Sequence, residues 1–95
     1  MVPRLFEEGK CIYNIDDISE ELFVVRSGSV TEEIKVSKIE QTNASNPSNT
    51  DFFQFQGYGP GQWFGQSEVF LGVNRWSRVT SKEKTLLLCI RRSEL

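Results

Sequence analysis

Apolar residues along this chain come in short bursts, broken by turn chemistry too often for helices. KCIYNI, ELFVVRSG and the longer SVTEEIKVSKIE are rich in β-branched and aromatic residues and predict strands. In the longest of them Ile34 and Val36 alternate with charged neighbours, as in a strand with one face against a core. FFQFQGYG predicts a further strand, with Phe53 and Phe55 on one face and Phe52 on the other. RWSRVTS and TLLLCIRR complete the β inventory, the second apolar enough to lie between two layers. Ser93-Glu94-Leu95 reads as the first turn of a helix. Nothing in the tract QTNASNPSNTD can build a core, so residues 42–51 are expected to form an exposed, flexible polar hairpin loop. Many short strands with almost no helix point to a mainly β fold, an antiparallel jelly-roll β-sandwich of about eight short strands.

Composition narrows this further. Ninety-five residues make one small domain, residues 1–95, and 38% apolar with 25% charged suits a globular chain better than a disordered one. A net charge of −2 argues against broad binding to nucleic acid or acidic membranes. With no apolar run of membrane-spanning length and no signal-type start, the default expectation is cytoplasmic. For the same reason the glycosylation sequon Asn43-Ala44-Ser45 reads as accidental. Histidine is absent, which excludes histidine-ligated metals, Ser-His-Asp triads and Cys-His pairs within the chain. No catalytic residue, metal site or cofactor is predicted. Cys11 and Cys89 lack metal-type spacing, and each sits in an apolar run, so both are expected as buried thiols. Pairing of the end strands could make them neighbours, although a cytosolic setting disfavours a disulfide. Glu32 and Glu33 with Lys35 and Lys38 read as a solvated strand face.

The order of features carries more information than any single piece. GKCI, then ELFVVRSGSV, then GPGQWFG, then Arg75 before a strand, together resemble the cyclic nucleotide-binding domain family from Gly9 to Leu95. That family includes the catabolite activator protein, kinase regulatory subunits and cyclic-nucleotide-gated channels. The resemblance implies a β-roll carrying a phosphate-binding cassette, F-G-E-x-A-x, a short helix and then R-x-A. Phe64 and Gly65 match its opening, and Arg75 falls at the family's spacing. The chemistry fits the residue types. Glycine lets backbone approach a phosphate, N–H groups at a helix start donate to its oxygens, and arginine supplies a charged fork. On this resemblance the cyclic-nucleotide-binding residues are Gly65, Gln66, Ser67, Glu68, Arg75, Trp76 and Ser77.

Several of these depart from the family pattern. Gln66 stands where the ribose-binding Glu is usual, so it either accepts from the sugar hydroxyl without charge assistance or is an ordinary polar residue of the first turn. Glu68 takes the small-residue position, where a carboxylate can fill or repel the anion site. Arg75 is then either a phosphate clamp, or an ion-pair partner of Glu68 or exposed strand-end residue. Trp76 either stacks on a purine or blocks the pocket, and its bulk favours blocking. Trp63 and Phe64 are expected to pack in the core or turn. Arg78 replaces a usual Thr or Ser, and Asp16 a common glycine, whose turn geometry Asp tolerates.

The functional expectation is a regulatory domain that senses cAMP or cGMP and passes the signal to a neighbouring effector domain or protein partner. The family's flanking helices are largely missing, so the chain reads as a β-roll core within a longer protein. The alternative is a degenerate, ligand-free member of the fold that serves as a protein-interaction or assembly module. No nucleic-acid partner or membrane insertion is expected. A cupin-like enzyme shares the architecture but rests on histidines that this chain lacks.

Overall fold

The computed structural model describes residues 1–37 and 50–95. Eight strands run in the order β1 (Val2–Phe6), β2 (Cys11–Tyr13), β3 (Glu21–Ser27), β4 (Val30–Ser37), β5 (Thr50–Tyr58), β6 (Trp63–Phe64), β7 (Arg78–Ser81) and β8 (Thr85–Arg91). A short helix, α1 (Gln66–Leu71), separates β6 from β7, and a 3-10 turn spans Arg92–Glu94. The strands form two four-stranded sheets with orders β1-β8-β3-β6 and β2-β7-β4-β5, and every pairing is antiparallel. This is the mainly β sandwich that the pattern of short strands predicts. Residues 42–49 of the expected polar loop lie outside the described residues, and Thr50 and Asp51 already belong to β5.

Tyr13, Phe23, Val25, Val30, Phe64, Val79, Leu87 and Cys89 form the core between the sheets. Phe23 and Phe64 stack at 5.1 Å within one sheet, and Tyr58 of the other lies 5.4 Å from Phe64, so aromatic rings bridge the two layers. Between β3 and β4, Gly28 takes a left-handed φ of 89°, and a Cβ there would meet the Lys84 carbonyl oxygen and Thr85 Oγ1 at 2.5 Å. The glycine is therefore required by the tight approach of the β3–β4 turn to the start of β8. Buried Thr85 Oγ1 accepts from the Ser29 amide and lies within hydrogen-bond reach of the Ser29 and Glu83 carbonyls, tying that turn down.

Several details differ from the sequence reading, each for a local reason. Val2–Phe6 is a strand despite Pro3; it forms the edge of its sheet, where a missing amide is tolerated. Cys11 is exposed rather than buried, because a bulge between Cys11 and Tyr13 interrupts the register of edge strand β2 against β7. Cys89 is buried as expected, but it lies in the other sheet, and both thiols are free. Trp63 is half exposed, since the two residues of β6 point to opposite sides and Phe64 takes the core side. Phe52, Phe53 and Phe55 are all exposed, with β5 at a sheet edge. Asp16 does adopt the turn geometry expected of it, with φ 72°.

Candidate functional site

The cassette begins at Gly65, whose left-handed φ of 80° caps α1. A Cβ at Gly65 would lie 3.0 Å from Arg75 Nη1, 3.3 Å from Tyr13 Cε2 and 3.4 Å from Phe23 Cδ2. The glycine thus makes room for the arginine of its own chain. α1 runs six residues, buries Glu68 and Val69, and stops at Gly72, whose amide donates to the Glu68 carbonyl at 2.8 Å.

Arg75 is held from both ends. Its amide donates to the Asp17 carbonyl at 2.9 Å, and its carbonyl accepts from Asp16 at 2.8 Å, so the left-handed Asp16 turn fixes its backbone. Its guanidinium is 2% exposed and points into the sandwich. Nη1 donates to the Gly65 carbonyl at 2.6 Å and to Glu68 Oε1 at 3.2 Å, and Nη2 donates to the Glu21 carbonyl of β3. The guanidinium carbon lies 4.0 Å from the Tyr13 ring centroid, a close cation–π contact. The Glu68 pair is single-pronged and longer than the 2.7–2.9 Å usual for such bonds, so the backbone carbonyls position the fork more tightly than the carboxylate does. Glu68 Oε2, Arg75 Nε and Tyr13 Oη are buried without hydrogen-bond partners among the described residues.

Beside this cluster a recess of about 180 Å³ is lined by Glu32, Phe55, Tyr58, Gly65, Gln66, Ser67, Glu68 and Trp76. Glu32 is buried, which corrects its reading as part of a solvated face. Tyr58 Oη donates to its Oε1 at 2.7 Å and Ser77 Oγ to its Oε2 at 2.5 Å. The reason lies in register. Glu32 shares strand parity with core residue Val30 and with Ile34, whereas Glu33 faces outward and takes Arg78 Nη2 at 2.9 Å. Burial raises the Tyr58 hydroxyl above its ordinary range, and donation to Glu32 reinforces the shift. Burial also raises Tyr13, against the pull of the neighbouring Arg75 charge.

The residues assigned to the ligand on family resemblance therefore separate. Gly65, Gln66, Ser67, Glu68 and Trp76 line the recess; Arg75 turns into the core cluster; Ser77 is fully buried beneath Glu32. Arg75 forms the ion pair with Glu68, one of its expected partners. Trp76, half exposed, stands on the recess wall. Glu32, Phe55 and Tyr58 were not anticipated there; the parity of Glu32 with Val30 was the available signal. Among the described residues no three acidic or cysteine side chains cluster as metal ligands, and no helix is long and apolar enough to cross a membrane.

A sequence profile of the cyclic nucleotide-binding domain matches residues 3–95, nearly the whole chain. The chain belongs to the cyclic nucleotide-binding domain family. The catabolite activator protein of Thermus thermophilus is similar in structure, with a TM-score of 0.78 and 25% identity over 98% of this chain and 38% of that one. The regulatory domain of Toxoplasma gondii PKA, crystallised with cAMP, has a TM-score of 0.79 at 15% identity over 96% of this chain and 31% of that one. The cAMP-bound EAL enzyme Bd1971 has a TM-score of 0.80 at 15% identity, over 98% of this chain and 22% of that one. At 15% identity the likeness shows the fold alone. This chain thus spans well under half the length of these similar structures. No curated protein sequence matches it.

Proposed function

We propose that this chain is a regulatory domain of the cyclic nucleotide-binding type whose anion site is filled from within, and that it acts as an interaction or assembly module without requiring nucleotide. The observation that carries this reading is the buried pair of Glu68 and Arg75. For Arg75 to receive a phosphate, Glu68 must give up its hold on the guanidinium and be left buried without a cation. Stripping one partner from a buried ion pair costs about 3–5 kcal/mol. A ligand that had to supply this would bind about a hundred- to several-thousand-fold more weakly than one meeting a free arginine.

A second reading, a sensor of cAMP or cGMP, is favoured by one observation: Gly65, Gln66, Ser67 and Trp76 all face a single recess. There the Gln66 amide oxygen is the group to accept from a ribose hydroxyl, and Trp76 the group to stack on a purine. The cAMP named for the Toxoplasma gondii and Bd1971 structures makes that nucleotide the first to try. Calorimetric titration with cAMP and cGMP separates the readings. We expect no saturable heat at millimolar nucleotide with the natural sequence, and measurable binding in Glu68→Ala, where the competing carboxylate is gone. Saturable binding by the natural sequence that disappears in Arg75→Ala overturns the proposal in favour of the sensor.

A further inference from the structure

We infer that the recess beside α1 is a site for an organic cation, a guanidinium or primary ammonium group. The inference rests on the reading that Arg75 does not serve a phosphate there. Charge comes first. Two buried carboxylates, Glu32 and Glu68, line the recess, and Arg75, engaged by Glu68, is turned away from it. Glu32 takes its hydrogen bonds from two neutral hydroxyls, and no cation pairs with it among the described residues. A buried carboxylate held only by neutral groups is costly, and an incoming cation relieves that cost.

A second, independent observation is the orphaned oxygen. Glu68 is 2% exposed, spends Oε1 on Arg75, and leaves Oε2 with no partner. A cation seated in the recess offsets the charge of both carboxylates at once. The walls suit the same ligand: Phe55, Tyr58 and Trp76 present aromatic surface beside the acids, and aromatic faces attract cations. A recess of about 180 Å³ is smaller than the roughly 300–1,000 Å³ of sites for larger ligands, so it fits the head of one side chain or a small amine. A metal ion is the poorer fit, since no three ligating side chains gather among the described residues.

The test is a chemical-shift titration of the labelled protein with ethylguanidinium chloride, against sodium chloride at equal ionic strength. We expect saturable shifts at the Trp76 indole N–H and the amides of Gly65–Glu68, with an affinity on the order of 1 mM. Glu32→Gln keeps one acceptor oxygen, and the hydroxyl that faces the new NH2 can turn to accept from it, so the fold is retained while affinity falls about tenfold. Trp76→Ala, at an exposed residue, weakens the binding read at the Gly65–Glu68 amides, and Glu83→Gln on the β7–β8 turn leaves it unchanged. A blocked tripeptide with a central arginine distinguishes the source: tighter binding than ethylguanidinium indicates a partner's side chain, weaker binding a free small cation. Shifts that never saturate, or that survive unchanged in Glu32→Gln, overturn the site. Adding cAMP to parallel samples keeps the two readings apart. Binding of cAMP alone overturns both, and silence toward all ligands overturns the cation site while leaving the nucleotide-independent module standing.

Discussion

Replacing Arg75 should cost more stability than replacing Glu68, although the two form one ion pair. The asymmetry follows from what each deletion leaves behind. In Glu68→Ala the guanidinium keeps the Gly65 and Glu21 carbonyls and the Tyr13 ring, so the loss is near that of one hydrogen bond to a charged group, about 1.5–3 kcal/mol. In Arg75→Ala a buried carboxylate loses its cation and two backbone carbonyls lose their donor, which places the loss at about 3–5 kcal/mol. For a domain whose total stability is on the order of 5–14 kcal/mol, the second change approaches the limit of folding. Urea unfolding followed by Trp fluorescence, for both single variants and the double variant, measures the terms. The cycle should return a coupling of about 0.5–3 kcal/mol, as expected for residues in contact. Equal single losses that sum in the double variant would refute the reasoning, because they would mean that Arg75 and Glu68 act independently.

Other expectations rest on separate contacts. Gly28→Ala meets backbone oxygen at 2.5 Å in a left-handed conformation, so it should destabilise by at least about 2 kcal/mol, read as a shift of the urea midpoint at unchanged slope. Cys11 should react with a thiol reagent in the folded protein while Cys89 reacts only after unfolding, which mass spectrometry of the modified peptides reports. The reaction of Cys11 should need alkaline pH, since partial burial raises its thiol. Both tyrosines have raised hydroxyls in the folded state, so they stay neutral where unfolded tyrosines ionise. Their contribution to stability is fully present below about pH 10 and falls as pH rises from there toward the folded values. Absorbance at the tyrosinate band should therefore rise together with loss of structure; tyrosinate formed near pH 10 in the intact fold contradicts it.

Much of the β architecture was legible because alternation and turn residues act locally. β3 and β8 stand out as apolar runs, and Gly65 and Arg75 keep a separation that points to the cassette. What the residues do at that separation was not legible. Glycine at 65 invites a reading of backbone approach to a phosphate, yet the atom it accommodates is Arg75 Nη1. Whether a guanidinium points to solvent or to the core depends on carbonyls from α1's entry and from β3, which come together only through the sheet order. Glu32 reads as surface because it is an acid among acids and lysines, yet in the sheet where β4 pairs with both β5 and β7 it is buried. Val2–Phe6 is hard to read as a strand from sequence, because proline argues against strands unless the strand is known to be an edge.

The segment after α1 shows how the cassette can keep its spacing and change its chemistry. Arg75, Trp76 and Ser77 alternate buried, exposed and buried, so the arginine is committed to the core, the serine to Glu32, and the tryptophan to the recess wall. A ligand entering there meets an indole and two carboxylates. For a phosphate placed roughly 5–6 Å from a carboxylate, an effective dielectric near 20 gives about 3 kcal/mol of repulsion for each pair. Arg75, paired with Glu68, offsets one of the two, which leaves an anion facing a net penalty of about 3 kcal/mol and a monovalent cation the same amount of attraction. Position 68 decides that sign. With alanine there, one carboxylate and one guanidinium balance; with glutamate, the recess becomes negative while the arginine stays where the fold holds it.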